Sequence, residues 1–247
     1  TAGLATMAEL PMWAVIPMSM ICASALAFCI GLFAVRLAGV FFIMITLAAG
    51  EMLHAFVFRS RFFGGDDGLS GVPRLNLETL DIDLLHPAQF SLFTLVVAVL
   101  VYWIARSIVE SPTGRVLVGI RLNEARMGAL GCRLLHYKLA VFVVAAGLAG
   151  LAGSLSAQHN NFVSPELLTW TTSGEVLIVV IIGGLGSLVG PAAGAAVFVM
   201  LAHYVSGLTD YWMLFMGLFF IAVVLSGNEG IYGFFRCIKR IVVNVNR

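Results

Sequence analysis

Apolar residues run through this chain in long continuous blocks separated by short polar stretches, without sustained period-two alternation. Such blocks predict membrane-spanning helices, whereas a β-barrel would show short segments alternating in polarity. They place spans at 13–35, 37–58, 90–104 and 139–157, then a Gly-rich pair at 172–189 and 192–205, split by Gly190-Pro191. A last span follows at 211–225. Between the blocks lie a polar segment at 59–89, an island at 106–138, a short loop at 159–170 and a tail at 227–247.

The island is the most legible stretch. Within it, residues 111–133 read SPTGRVLVGIRLNEARMGALGCR. Ser111 offers a capping hydroxyl, and Pro112 is tolerated in the first turn of a helix. Val116, Leu117 and Ile120 then repeat at helical spacing, with Arg115 and Arg121 on the wetter side. Asn123 can cap a second short helix, where Glu124 would meet the positive end of the dipole. Gly131 supplies a left-handed stop after Leu130. The pattern therefore predicts two short helices with a bend between them, although an amphipathic loop lying on the bilayer surface would share it.

Composition agrees with a membrane protein. Of 247 residues, 60% are hydrophobic and 11% charged, and the mean hydropathy is +1.01. A soluble domain carries about a quarter charged residues. The expected class is all-α: a polytopic helical membrane protein of about seven spans, forming one transmembrane domain over 1–247. Net charge of +1 gives no reason to expect nucleic acid as a partner. Basic residues cluster at Arg106, Arg115, Arg121, Arg126, Arg133 and Lys138, and again at Arg236, Lys239, Arg240 and Arg247. The bias of short basic loops toward the cytoplasm puts the island, the tail and Arg36 inside. The acidic 59–89 segment, with Glu78, Asp81 and Asp83, then lies outside, together with the 159–170 loop and Asp210. Arg59 and Arg61 dissent, but they can snorkel at a span end. A first residue of Thr rather than Met suggests a piece of a longer protein, and no secretory signal pattern is visible.

Candidate chemistry is sparse. No G-x-x-x-x-G-K-[ST] occurs, and the only lysines are Lys138 and Lys239, so a P-loop ATPase is excluded. Glu51 and His54 stand three apart on one helix, but the second Glu-x-x-His set of a di-iron bundle is missing. H-E-x-x-H and G-x-S-x-G are absent too, so the chain does not read as an enzyme. Gly64-Gly65-Asp66-Asp67-Gly68 lacks the ligand spacing of a calcium loop and reads as a turn. His86, His136, His159 and His203 are scattered singly. Cys22, Cys29, Cys132 and Cys237 are expected to be reduced and to pack as small apolar groups. No metal or cofactor is expected on this chain.

Two stretches carry alternative readings. Glu51 lies about 10 Å inside its span by helix rise. Either it lines a solute route with Thr46, or it serves a structural hydrogen bond, to His54 or to another helix. Gly183, Gly184 and Gly186 either line a cavity at a broken helix or allow close helix packing. For Gly147-Leu148-Ala149-Gly150-Leu151-Ala152-Gly153, packing is the favoured reading.

Several segments, in order, resemble the M-type permease subunit of branched-chain amino acid ABC transporters. They are GVFFIMITLAAGEM (39–52), GGDDGLSGVPR (64–74), SPTGRVLVGIRLNEARMGALG (111–131) and FVSPELLTWTTSGEVLIVVIIGGLGSLVGPAAGA (162–195), with the last span. The resemblance implies an importer permease bundle in the bacterial inner membrane. It gives Arg121, Asn123, Glu124, Ala125, Arg126 and Gly131 the task of coupling to an ATPase. It also implies separate ABC ATPase subunits using ATP and Mg, a second H-type permease subunit and a periplasmic solute-binding protein. That binding protein would dock on the outer loops, at Asp66, Asp67, Asn160 and Asn161. Two departures stand out. The family's earlier Gly-rich spans are missing from this sequence, and Asn228-Glu229-Gly230 replaces the usual Pro-Arg-Gly. A urea or short-amide permease, or a secondary transporter or channel without ATP, remains an alternative at this point.

Overall fold

The computed structural model describes residues 12–60, 64–72, 86–184, 187–209 and 211–225. Glu78, Asp81, Asp83, Arg61, Gly186, Asp210, Cys237 and the basic tail lie outside them, as does the side chain of Asp66. Nine helices occur among the described residues: α1 (Met12–Ala34), α2 (Val40–Arg59), α3 (Pro87–Glu110), α4 (Pro112–Leu122), α5 (Glu124–Ala129), α6 (Leu134–Asn160), α7 (Trp170–Gly183), α8 (Val189–Leu208) and α9 (Trp212–Leu225). Contacts group them into two compact units, Thr1–Thr169 and Trp170–Arg247.

In the first unit, α1 and α6 pack antiparallel along most of their length because small residues let the backbones approach. A methyl group at Gly150 would lie 2.6 Å from Ala23 Cβ and 2.8 Å from the Ser19 carbonyl oxygen. One at Gly147 would lie 2.6 Å from Ser24 Oγ. The Ser24 hydroxyl crosses the seam to donate to the Val143 carbonyl at 3.4 Å. Gly31 continues the seam against Leu139 and Phe142. The packing expected for 147–153 is therefore present at Gly147 and Gly150, whereas Gly153 faces open space. Helix α2 has no buried residue at all, which suits a span whose solvent is lipid.

The four long helices of this unit run alternately. Phe42, near the start of α2, sits edge-to-face with Phe142 of α6 at 6.1 Å. Phe90, near the start of α3, stacks on His159, near the end of α6, at 5.9 Å. Arg36 and the α4–α5 region thus share one end, and the loops after α2 and α6 share the other, as the charge pattern requires.

Four sequence expectations change. Helix α6 extends through Gln158, His159 and Asn160, beyond the expected end at 157, and stops where Asn161 turns left-handed at φ 51°. The 159–170 loop is accordingly shorter. Helix α3 begins at Pro87 and continues to Glu110, whose carboxylate accepts from Arg106 Nε at 2.7 Å one turn back. A two-residue antiparallel ladder, β1 (Leu69–Ser70) with β2 (Phe162–Val163), joins the two outer loops through a strand pairing that the sequence did not predict.

The fourth change lies in the second unit. The helix expected at 172–189 ends at Gly183, because Gly184 adopts φ +97°. Gly190-Pro191 does not split the pair. Both sit in the first turn of α8, where a missing amide donor costs nothing. At 14 residues, α7 is about 21 Å long, too short to cross about 30 Å of hydrocarbon alone. Five helices, α1, α2, α3, α6 and α8, are long and apolar enough to do so among the described residues.

Candidate functional site

The joint between α3 and α6 is built from local signals that all agree. Ser111 caps α4, its hydroxyl oxygen accepting from the Gly114 amide at 3.3 Å. Asn123 caps α5, its Oδ1 accepting from the Arg126 amide at 2.9 Å. Helix α5 ends in a Schellman pair: the Cys132 amide donates to Met127 at 3.2 Å and the Gly131 amide to Gly128 at 3.0 Å. Gly131 makes this possible at φ +83°, a conformation that side chains with a Cβ resist.

Tertiary contacts then fix the angles. Met127 of α5 fills the notch left by Gly119 of α4, where an added methyl would lie 2.8 Å from its sulfur. Lys138 on the second turn of α6 donates to the Glu124 carboxylate at 2.5 Å. Sequence reasoning counted Lys138 only as a basic charge. A pair 14 residues apart across a helix–turn–helix leaves no periodic trace. The outcome is an elbow joining two long apolar helices. Its sequence-predicted residues Arg121, Asn123, Glu124, Ala125, Arg126 and Gly131 are all exposed. Two apolar side chains stand out beside them, Leu122 at 80% and Leu130 at 71% exposure.

Thr46 and Glu51 lie on α2. The Thr46 hydroxyl bonds back to its own helix, to the carbonyls of Phe42 and Ile43 at 3.0 Å each. Glu51 is exposed. The neighbouring His54 ring packs against Phe58 at 5.8 Å. Among the described residues Glu51 makes no hydrogen bond to His54.

Gly183 and Gly184 close α7. Gly183 is buried where a methyl would run into the Gly190 carbonyl and the Pro191 nitrogen, and Gly194 lies against Gly183 and Val179 in the same way. This is backbone-to-backbone packing of an antiparallel α7–α8 hairpin.

Asp67, Asn160 and Asn161 gather around the small ladder. The Asn161 carbonyl accepts from the Gly71 and Val72 amides at 3.1 and 3.4 Å. Gly68 approaches Val163 so closely that a methyl would lie 2.5 Å from its carbonyl oxygen. Val72 is buried beneath, at 3% exposure, while Phe162, Leu167 and Leu168 face outward. The loops thus form one platform at the end opposite the elbow.

Between α3 and α6 lies a cleft of about 550 Å³, which the sequence did not disclose. Among the described residues no three His, Cys, Asp or Glu side chains come together to hold a metal.

Comparison with known proteins places this geometry. The family model described as "Branched-chain amino acid transport system / permease component" matches residues 1–224. Two curated relatives, each a high-affinity branched-chain amino acid transport system permease protein LivM, come from Escherichia coli (strain K12) and Salmonella typhimurium (strain LT2). Each is 26% identical over 241 residues, covering 89% of this chain and 57% of the relative. The chain therefore spans somewhat over half the length of these relatives. No solved structure matches. On the family match, over residues 1–224 of a multi-span all-α chain, the protein belongs to the branched-chain amino acid transport system permease component family.

Proposed function

We propose that the chain is a membrane-spanning permease subunit of an ATP-driven importer for branched-chain or neutral amino acids in the bacterial inner membrane. ATP and Mg are used by separate ABC ATPase subunits, which push on the elbow from the cytoplasm. A second, H-type permease subunit completes the path, and a periplasmic binding protein delivers solute to the platform around Asp66, Asp67, Asn160 and Asn161. About seven crossings follow if the shorter helices α7 and α9 traverse the bilayer together with their flanking residues, beside the five long helices, with Arg36, the elbow and the basic tail inside.

The observation that carries this reading is the elbow. It is rigidly jointed, yet exposes Arg121, Leu122, Arg126 and Leu130, a mixed basic and apolar surface suited to a protein partner. Its ends continue into α3 and α6, so displacement of the elbow is transmitted to two spans. Thr46, Glu51, Gly183, Gly184 and Gly186 contribute to the solute path. Deleting residues 122–128, or replacing Leu122→Asp with Leu130→Asp, should abolish co-purification of the ATPases while the subunit still inserts. Retention of the ATPases by both variants would refute the coupling role.

A further inference from the structure

The cleft between α3 and α6 has a graded lining. Val97, Ala98, Leu148, Leu151 and Leu155 make its body, while Ser91, Thr94, Ser156 and His159 gather toward the end nearer the platform. Its volume, about 550 Å³, falls among small-molecule sites, which span about 300–1,000 Å³. The Thr94 hydroxyl donates to the Phe90 carbonyl at 2.9 Å, so its proton is committed and its free lone pairs act as acceptors. Phe90, at 1% exposure, lies behind the lining and stacks on the lining residue His159, with rings 5.9 Å apart and inclined by 25°.

We propose that this cleft is the solute-holding compartment of the permease, taking an aliphatic amino acid. Its ammonium and carboxylate lie among Ser91, Thr94, Ser156 and His159, its side chain lies against Leu148, Leu151 and Leu155, and the buried Phe90 ring holds the His159 imidazole in place from behind. The inference rests on the importer reading and adds the site. A lipid tail would be served by an apolar lining throughout. Three hydroxyls and an imidazole in one cleft suit a ligand with a polar head, and polar groups inside spans commonly mark solute routes.

The placement of the walls adds a second argument. Helix α6 is bolted to α1 by the Gly147–Gly150 seam, whereas α3 touches α6 only sparsely. The elbow continues from the far end of α3 and is pinned to α6 through Glu124 and Lys138. Displacement of the elbow therefore reaches both walls, and the sparse contact between α3 and α6 lets the width of the cleft change with it. A compartment whose two walls are the two arms of the lever is where alternating access would act.

The test uses the assembled importer in proteoliposomes, with Ser156→Cys in a background where Cys22, Cys29, Cys132 and Cys237 are alanine. Leucine delivered by the binding protein should slow maleimide modification of that cysteine at least fivefold. Ala98→Trp and Ala152→Trp, one on each wall, should each cut leucine uptake at least tenfold while the ATPases still co-purify. A modification rate that responds to ATP but not to leucine would mark a lipid-filled seam and overturn the proposal. So would normal uptake by both tryptophan variants. Absence of ATP-dependent leucine uptake by the unmodified importer is a different failure: it would overturn the importer reading, and the site with it.

Discussion

Gly150 and Gly153 stand three residues apart in one run of small residues, yet the structure assigns them opposite responses to the same substitution. At Gly150 an alanine methyl would lie 2.6 Å from Ala23 Cβ and 2.8 Å from the Ser19 carbonyl oxygen. Ordinary carbon contacts are about 3.5–4.0 Å, so α1 and α6 would have to separate by about 1 Å. Neither neighbour can swing aside, since one is a Cβ and the other backbone. Forcing such a contact costs about 1–3 kcal/mol. At Gly153 the same methyl meets nothing within 4 Å. Both substitutions share the helix-propensity gain of about 0.5–1 kcal/mol, which cancels when the two are compared. Gly150→Ala should therefore be about 1–3 kcal/mol less stable than Gly153→Ala, and the leucine pair should differ by more. Equilibrium unfolding in mixed micelles with added SDS, followed by tryptophan fluorescence, gives the comparison. Equal stability of the alanine pair, or a more stable Gly150→Ala, would refute the seam as described.

Two further outcomes follow from the elbow and the platform. Exchanging the charges of the Glu124–Lys138 pair should restore what either single reversal loses. With side chains 47% and 25% exposed the coupling energy should be about 0.5–1 kcal/mol, read from a double-mutant cycle on leucine imported per ATP hydrolysed; a cycle that closes at zero would remove Lys138 from the linkage. Gly68→Val sets a branched side chain at φ +71° against the Val163 carbonyl, so it should part β1 from β2. The half-saturating concentration of binding protein should rise about tenfold if docking costs about 1.4 kcal/mol, with ATPase association unchanged, and an unaltered value would exclude the ladder from docking.

Local chemistry alone determined much of this protein. Continuous apolar blocks require helices because backbone polar groups in lipid must be satisfied within the segment, and the caps at Ser111 and Asn123 and the stop at Gly131 depend on neighbours three or four residues away. These features are all readable from the sequence. What needed the tertiary structure was every decision made between distant segments. Gly147 and Gly150 carry the seam while Gly153 does not, because only the placement of α1 tells them apart. The turn after α7 falls at Gly184 rather than at Gly190-Pro191, because Gly183 must seat against Gly190 while Pro191 is harmless in a first turn. Glu124 finds Lys138, and two loops separated by four helices share a ladder. The α3–α6 cleft is likewise a property of two helix faces, and each face read alone is an ordinary apolar span with a few hydroxyls.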